Sequence, residues 1–352
     1  MNPMEWTPKA TIKNQAELEK LIPKYVCGMD PSRLGMERPL KFEGIERLGI
    51  GTRHFNYAVI INRKRFNMRF CTSEEPEKRI EYEYKALKVL NRYGVAPRAY
   101  TMEPSNDKLG LPFMITEYVE GRHIDRIDDS LVGMLASEIA RINSIRVNEE
   151  AYSMLHRIER KEDLLSEINK KMDHIGQLLS KSKEGRMVID GLSDAFAVVS
   201  GIDIGKGAAA ITHTDIATPN IIVSSQGIRL IDWESVCISD PAYGISCMID
   251  REGMDSSQLS LFLNGYFKIR EDETIPGRLK AFRMIRAFDR LCWAVWESFD
   301  IKSGAAKESL FHDSRNPSNY INMAKRKFAE CKSLGIVPAD ERWGSMLGSA
   351  LG

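Results

Sequence analysis

The chain has 352 residues, with 50 lysines and arginines against 49 aspartates and glutamates and a formal net charge of +1. The length predicts about two domains, and the near-neutral charge argues against a protein that mainly binds nucleic acid, which usually needs a basic excess. Neither a membrane-spanning apolar run nor an export signal is evident. We therefore expect a cytoplasmic protein without a nucleic-acid or membrane partner; the oligomeric state is not predicted.

The N-terminal part is predicted to begin with a helical extension over residues 1–40, because apolar residues between 18 and 25 recur at helical spacing. The sequence then changes to strands. Segments 57–62 and 65–70 are rich in β-branched or alternating apolar residues and predict a hairpin that turns near Arg63 and Lys64.

A helix is predicted over 77–92, ended by Gly94, and a buried strand over 111–119. Together with the hairpin they form a predicted β-rich N-terminal lobe over 41–120.

The remainder, 121–352, is predicted to be a larger, mostly helical lobe. Its predicted helices span 130–144, 161–180, 257–269, 276–300 and 317–334. One interruption, 211–236, contains two short apolar strands around a polar turn. A cleft between two such lobes is where a ligand is expected.

This interruption contains a cluster of polar residues with a defined spacing. His213 is followed by Asp215, then by Asn220, and Asp232 follows twelve residues later at the end of the next strand. Phosphoryl transfer depends on positioning and on charge neutralisation around Mg²⁺, which prefers oxygen ligands. A hairpin would bring the Asn220 amide oxygen beside the Asp232 carboxylate, and Asp215 would remain to accept a proton from an acceptor hydroxyl.

The same residues resemble a known family. The spacing of Asp215 and Asn220 is that of the protein-kinase catalytic loop, but Thr214 occupies the middle of the motif and Trp233-Glu234 follows the later aspartate. This variant resembles the aminoglycoside phosphotransferase and choline kinase family, the small-molecule branch of the protein-kinase-like fold. The resemblance implies a bilobal α+β fold, an ATP or GTP cofactor with Mg²⁺, and a loop-bracing role for His213.

The resemblance also assigns nucleotide-binding positions in the N-terminal lobe. Gly49 and Gly51 match the turn that covers the phosphates, where glycines let backbone N–H groups approach. Backbone groups near Glu117 and Val119 match the linker that binds the purine edge.

The phosphate-holding lysine of kinases has no direct counterpart. Arg69 lies on the matching strand and is expected to pair with Glu83 and reach the phosphates, with a fork of donors in place of a point charge. Lys64 or Arg65 could fill the role instead, although both resemble turn residues.

The acceptor cannot be identified from these motifs. Glu234 could face either the substrate or a helix end. Arg283, Arg286 and Arg290 share a helix face that is more typical of solvent contact than of an acidic-substrate site. Three acids on the same predicted helix would equally suit a cationic substrate: Asp289, Glu297 and Asp300.

The sequence thus predicts an enzyme that moves the γ-phosphate of ATP, or alternatively GTP, to a hydroxyl of a small molecule such as an aminoglycoside, another antibiotic, an amino alcohol or a sugar. The alternative is a kinase-fold nucleotide-binding regulatory protein with little turnover, because the N-lobe lysine is missing. A metal-dependent oxygenase built on His213, Asp215 and Asp232 is disfavoured, since its second histidine would have to be His312, among helices.

Overall fold

The computed structural model describes residues 15–337, apart from 38, 51–53, 73–74, 106–107 and 304–316. Its strands are β1 Phe42–Ile50, β2 His54–Ile61, β3 Lys64–Cys71, β4 Ala99–Glu103, β5 Phe113–Glu117, β6 Arg122–His123, β7 His156–Ile158, β8 Ala210–His213, β9 Ile221–Ser224, β10 Gly227–Leu230 and β11 Val236–Ser239. Its α-helices are α1 Gln15–Cys27, α2 Pro76–Asn91, α3 Asp129–Asn143, α4 Glu149–Met154, α5 Lys161–Leu179, α6 Lys183–Ser200, α7 Pro241–Glu252, α8 Ser256–Phe267, α9 Ile275–Ser303 and α10 Pro317–Ser333.

The N-terminal region is a five-stranded antiparallel sheet with the order β1-β2-β3-β5-β4. Side chains alternate across β3, so Phe66, Met68 and Phe70 enter an apolar core that also contains residues of α1. Arg69 therefore lies on the opposite face of the sheet, where α2 places the buried Glu83. The alternation of β3 is what turns a charged side chain toward the centre of the molecule.

The β2–β3 hairpin is confirmed, with its turn one residue earlier than predicted. The loop residues are Asn62 and Arg63, with φ of 49° and 63°, and Lys64 already pairs with Ile61. Two consecutive left-handed residues are the geometry that matches the twist of a two-residue hairpin, and asparagine tolerates it well. The predicted stop after α2 is also confirmed, since Gly94 has a φ of 67°.

The C-terminal region is mostly helical, with α9 packed against α5, α7 and α10. Two small sheets, β10-β9-β6 and β7-β11-β8, interrupt the helices. All five predicted helices are present, and three others, α4, α6 and α7, were not predicted. In the part of the chain that the structure describes, no helix is long and apolar enough to span a membrane.

These observations confirm an α+β architecture with a β-rich N-terminal region and a helical C-terminal region. The boundaries at residues 40 and 120 stay predictions.

Candidate active site

The β9–β10 hairpin brings the predicted Mg²⁺ ligands to one place. Leu230 pairs with Ile221, and the Ile231 N–H donates to the Asn220 carbonyl at 3.0 Å, so Asn220 and Asp232 flank the open end of the hairpin. Asp232 has a φ of 64° and a ψ of 69°, a left-handed conformation that is rare outside glycine and that often occurs at functional sites. The pairing of these strands therefore accounts for the juxtaposition.

The third member of the motif, Asp215, is tied to the same hairpin. The Asn220 side-chain amide donates to the Asp215 carbonyl at 2.9 Å and to its Oδ2 at 3.2 Å. Because the NH₂ group of Asn220 is committed to Asp215, the amide oxygen is the atom that could ligate a cation. Asp215 itself is about one-quarter exposed, so its carboxylate is accessible to an acceptor.

His213 is buried and forms hydrogen bonds through both ring nitrogens. Nδ1 accepts from the Asp215 N–H at 3.3 Å, which assigns the proton to Nε2, and Nε2 donates to the Ile231 carbonyl at 3.1 Å. Burial lowers the pKa of His213, so the neutral form is favoured. Its contacts connect the loop around Asp215 to the β9–β10 hairpin and leave no lone pair for a metal, so they do not support the oxygenase alternative, whose His312 lies outside the described residues.

Arg69 joins the two regions of the protein. Its Nε donates to Glu83 Oε2 at 2.9 Å, and its Nη2 contacts Asp232 Oδ1 at 2.6 Å and His54 Nδ1 at 3.1 Å. Burial opposes the charge, but Asp232, Glu83 and Glu234 outweigh this effect and raise the pKa of Arg69. The guanidinium fork allows these contacts in different directions, which a lysine ammonium could not reproduce in the same geometry.

The alternatives to Arg69 lie elsewhere. Lys64 is exposed beside Tyr100, and Arg65 pairs with the exposed carboxylates of Glu46 and Glu120. Among the described contacts, neither side chain reaches Asn220 or Asp232 at the end of the β9–β10 hairpin.

Glu83 lies at the centre of an acidic cluster. It is 2% exposed, and burial raises the pKa of its carboxyl, a rise that Arg69 opposes and that Asp232 and Glu234 increase. One arginine is therefore shared among three carboxylates. Such a cluster favours the binding of additional positive charge between Glu83 and the hairpin.

Glu234 and His54 complete this cluster. Glu234 Oε2 lies 3.6 Å from His54 Nδ1, so Glu234 faces the N-terminal sheet. His54 was not predicted; a histidine directly after the glycine-containing turn was the available signal.

The residues predicted to bind the purine lie beside the end of β3 that is farther from the Asp232 site. Glu117 pairs with Phe66, three residues before Arg69, a distance of about 10 Å along the strand and comparable to the length of a nucleoside. The Glu117 N–H donates to the Arg98 carbonyl at 2.7 Å, and Val119 follows in the linker. Gly49 lies within β1, and Gly51 falls outside the described residues.

The end of α7 contacts the catalytic loop through two side chains that sequence reasoning missed. Arg251 Nη1 lies 3.3 Å from Asp215 Oδ1, and Glu252 Oε1 accepts from the Thr218 N–H at 2.9 Å. The only sequence signal was their position ten and eleven residues after the proline of the Asp-Pro that follows the hairpin.

The donor set fits Mg²⁺. One amide oxygen and one carboxylate on adjacent chain segments are hard oxygen ligands, and Mg²⁺ usually takes one or two protein oxygens together with phosphates and water.

The part of the chain that contains this motif and this geometry matches the sequence model of a known protein family. The model of the "Phosphotransferase enzyme family" matches residues 44–282, which include every residue discussed above between Gly49 and Glu252. The chain belongs to the phosphotransferase enzyme family. The predicted family is thereby confirmed.

Solved structures share the fold at low sequence identity. An ethanolamine kinase from Plasmodium vivax aligns with a TM-score of 0.63 and 15% identity over 92% of this chain and 96% of its own. A choline kinase from Streptococcus pneumoniae aligns with 0.60 and 20% over 90% and 99%. The GDP complex of an aminoglycoside 2'-phosphotransferase aligns with 0.62 and 17% over 90% and 98%. No curated protein matches the sequence of this chain.

Proposed function

We propose that the chain transfers the γ-phosphate of ATP, or alternatively of GTP, to a hydroxyl of a small molecule. The observation that carries this proposal is the geometry of the catalytic loop and hairpin. Asn220 and Asp232 flank one hairpin end, and Asn220 also holds Asp215 through two hydrogen bonds. GDP is bound in the structure of one similar phosphotransferase, which supports the use of a nucleotide.

The chain's own residues supply positioning, charge and a proton acceptor. Bound by Asn220 and Asp232, Mg²⁺ would neutralise charge on the phosphates. Asp215 would orient the acceptor hydroxyl and receive its proton, because its carboxylate is partly exposed and fixed by Asn220. Arg69, held by Glu83, would contribute positive charge on the sheet side of the cleft.

The purine would lie at the linker and the phosphates toward Arg69. The register of β3 with β5 supports this orientation, since it separates Glu117 from Arg69 by about the length of a nucleoside. The predictions of a cytoplasmic location and of no nucleic-acid or membrane partner are retained in this proposal.

The test is turnover with a panel of hydroxyl acceptors and both nucleotides. We expect Asp215→Asn to lower kcat by about 10²–10⁴-fold while nucleotide affinity, measured by calorimetry, stays the same. Asp194→Asn is the matched control, because it makes the same change at an exposed position on α6. Equal turnover in the Asp215 and Asp194 variants would refute the role of Asp215.

One observation favours the second candidate, a nucleotide-binding regulatory protein with little turnover. The Asp232 carboxylate is bound to Arg69 at 2.6 Å, so a Mg²⁺–nucleotide complex has to compete with an arginine for its metal ligand. Nucleotide binding without phosphorylation of any acceptor in the panel would favour this candidate over the enzyme.

A further inference from the structure

A cavity of about 460 Å³ lies between the end of α7 and the helices α9 and α10. Arg251 lines this cavity and its Nη1 also lies 3.3 Å from Asp215 Oδ1, so this one side chain connects the cavity with the proposed proton acceptor. Its volume is within the range of small-molecule sites. Its position suits the part of an acceptor that extends away from the reacting hydroxyl.

The charged residues that line the cavity are mostly cationic. They comprise five cations, Arg251, Arg283, Arg290, Arg326 and Lys327, and two acids, Asp250 and Glu330. Lys327 bonds to both acids, so a single lysine already neutralises them in part. Arg251 pairs with Asp215, and the other three arginines then give the cavity an excess of positive charge.

Arg290 is the most informative of these arginines. Its guanidinium lies 3.9 Å from the centre of the Trp293 ring, and its Nη2 has only the Met323 sulfur, at 3.6 Å, as a hydrogen-bond partner among the described residues. Within the same part of the chain, no carboxylate lies within salt-bridge distance of it. Burial, reinforced by Arg286 and opposed in part by the more distant Asp250 and Asp289, lowers the pKa of Arg290 to about 10, which leaves it charged at neutral pH. A mostly buried cation without a direct ion pair is stabilised when an anion binds beside it.

Two acids of α9 are already paired within the chain. Asp289 binds Lys171 and Arg286, and Asp300 binds His174 and the Trp296 indole N–H. These two acids, which the sequence offered to a cationic substrate, are therefore paired. The expectation of a solvated arginine face is wrong for Arg286, which is largely buried beside Asp289, and for Arg290.

We propose that this cavity binds an anionic group, so that the acceptor is a small alcohol bearing a carboxylate or a phosphate. Arginine forks match both groups through paired N–H donors. This inference rests on the proposed phosphotransferase function, because it names the acceptor class of the same site. It separates this chain from enzymes that act on cationic acceptors such as choline or aminoglycosides.

The first experiment compares matched acceptors in a turnover assay: hydroxy acids against their amides, sugar phosphates against the free sugars, and choline and aminoglycosides as cations. We expect only anionic acceptors to be phosphorylated efficiently, and the two anionic arms distinguish carboxylate from phosphate. Efficient phosphorylation of neutral or cationic acceptors alone would overturn the anion proposal and leave the phosphotransferase proposal standing.

The second experiment needs no turnover. Calorimetry with citrate and inorganic phosphate is expected to show binding that Arg290→Gln weakens by about tenfold or more, with partial rescue by Arg290→Lys. Arg326→Gln, at an exposed position, is the second variant in case Arg290→Gln does not fold, and Lys325→Gln, its neighbour on α10, is the control.

Where turnover is found, Arg290→Gln should raise the KM for the acceptor and leave the KM for the nucleotide unchanged. Absence of anion binding, or equal binding by the cavity variants and Lys325→Gln, would overturn the proposal. If anions bind in this way but nothing is phosphorylated, the anion site stands and the phosphotransferase proposal fails.

Discussion

Replacement of Arg69 by methionine should destabilise the protein far more than the same replacement at Arg65. Both arginines lie on β3, but the Arg69 side chain is 8% exposed and that of Arg65 33%. Arg69 bonds to Glu83, which is buried, whereas Arg65 bonds to Glu46 and Glu120, which are 66% and 68% exposed.

The difference can be estimated from these environments. Removing Arg69 leaves the Glu83 carboxylate buried beside Asp232 and Glu234 without its cation, and breaking such a buried pair costs about 3–5 kcal/mol. Breaking an exposed pair costs about 0–1 kcal/mol. The expected difference in the free energy of unfolding is therefore about 3 kcal/mol.

The loss in the free energy of unfolding caused by Arg69→Met should also depend on pH. Burial raises the pKa of Glu83 above its ordinary value of 4.5, and loss of the opposing Arg69 would raise it further. Above pH 4.5 the folded protein then holds a proton that the unfolded chain releases, so its stability falls as the pH rises through this window. With Arg69 in place the pKa of Glu83 is already raised to about 8, so above pH 8 this fall continues only in the variant, and Arg69→Met should be more damaging at pH 9 than at pH 7.

Urea unfolding at both pH values measures these effects in Arg69→Met, in Arg65→Met and in the double variant Arg69→Met with Glu83→Gln. The double variant should be more stable than Arg69→Met, because no isolated buried charge remains. A similar loss of stability in the Arg69 and Arg65 variants, or no recovery in the double variant, would refute this account of the cluster.

The catalytic-loop side chains lead to three further expectations. Asn220→Ala should raise the Mg²⁺ concentration needed for half-maximal turnover by about tenfold or more, and an unchanged Mg²⁺ titration would contradict its role as a ligand. Asp232→Ala should weaken Mg²⁺–nucleotide binding itself, which calorimetry with and without Mg²⁺ can check. Burial lowers the pKa of His213, so stability should fall as the pH drops below about 6.5, with a slope of up to about 1.4 kcal/mol per pH unit. His213→Gln should reduce this slope in urea unfolding between pH 5 and 7, and an identical slope would show that His213 does not titrate on unfolding.

The predicted elements that the structure confirms are those with a clear local pattern. The β2–β3 hairpin, α2 and α9 have alternating or helical spacing and recognisable ends. Helix α7 was missed because residues 241–249 are all buried, so it lacks the polar face that gives a helix its period. Helix α6 was missed because it contains two glycines and several β-branched residues, and its packing overrides this weak propensity.

The sequence by itself determined the family and the placement of Asp215, Asn220 and Asp232, because these residues lie within 18 positions and one hairpin suffices to bring them together. Only the tertiary structure decided what surrounds them. Arg69 meets Asp232 across 163 positions, and Arg251 meets Asp215 through a helix that the sequence did not predict.

The arginines of α9 also have surroundings that the sequence alone does not determine. Arg286 and Arg290 share one helical spacing, yet the first is paired with Asp289 and the second lines the cavity. Helical periodicity places side chains on a face, whereas the packing of α5, α7 and α10 around that face determines which charges are neutralised within the chain.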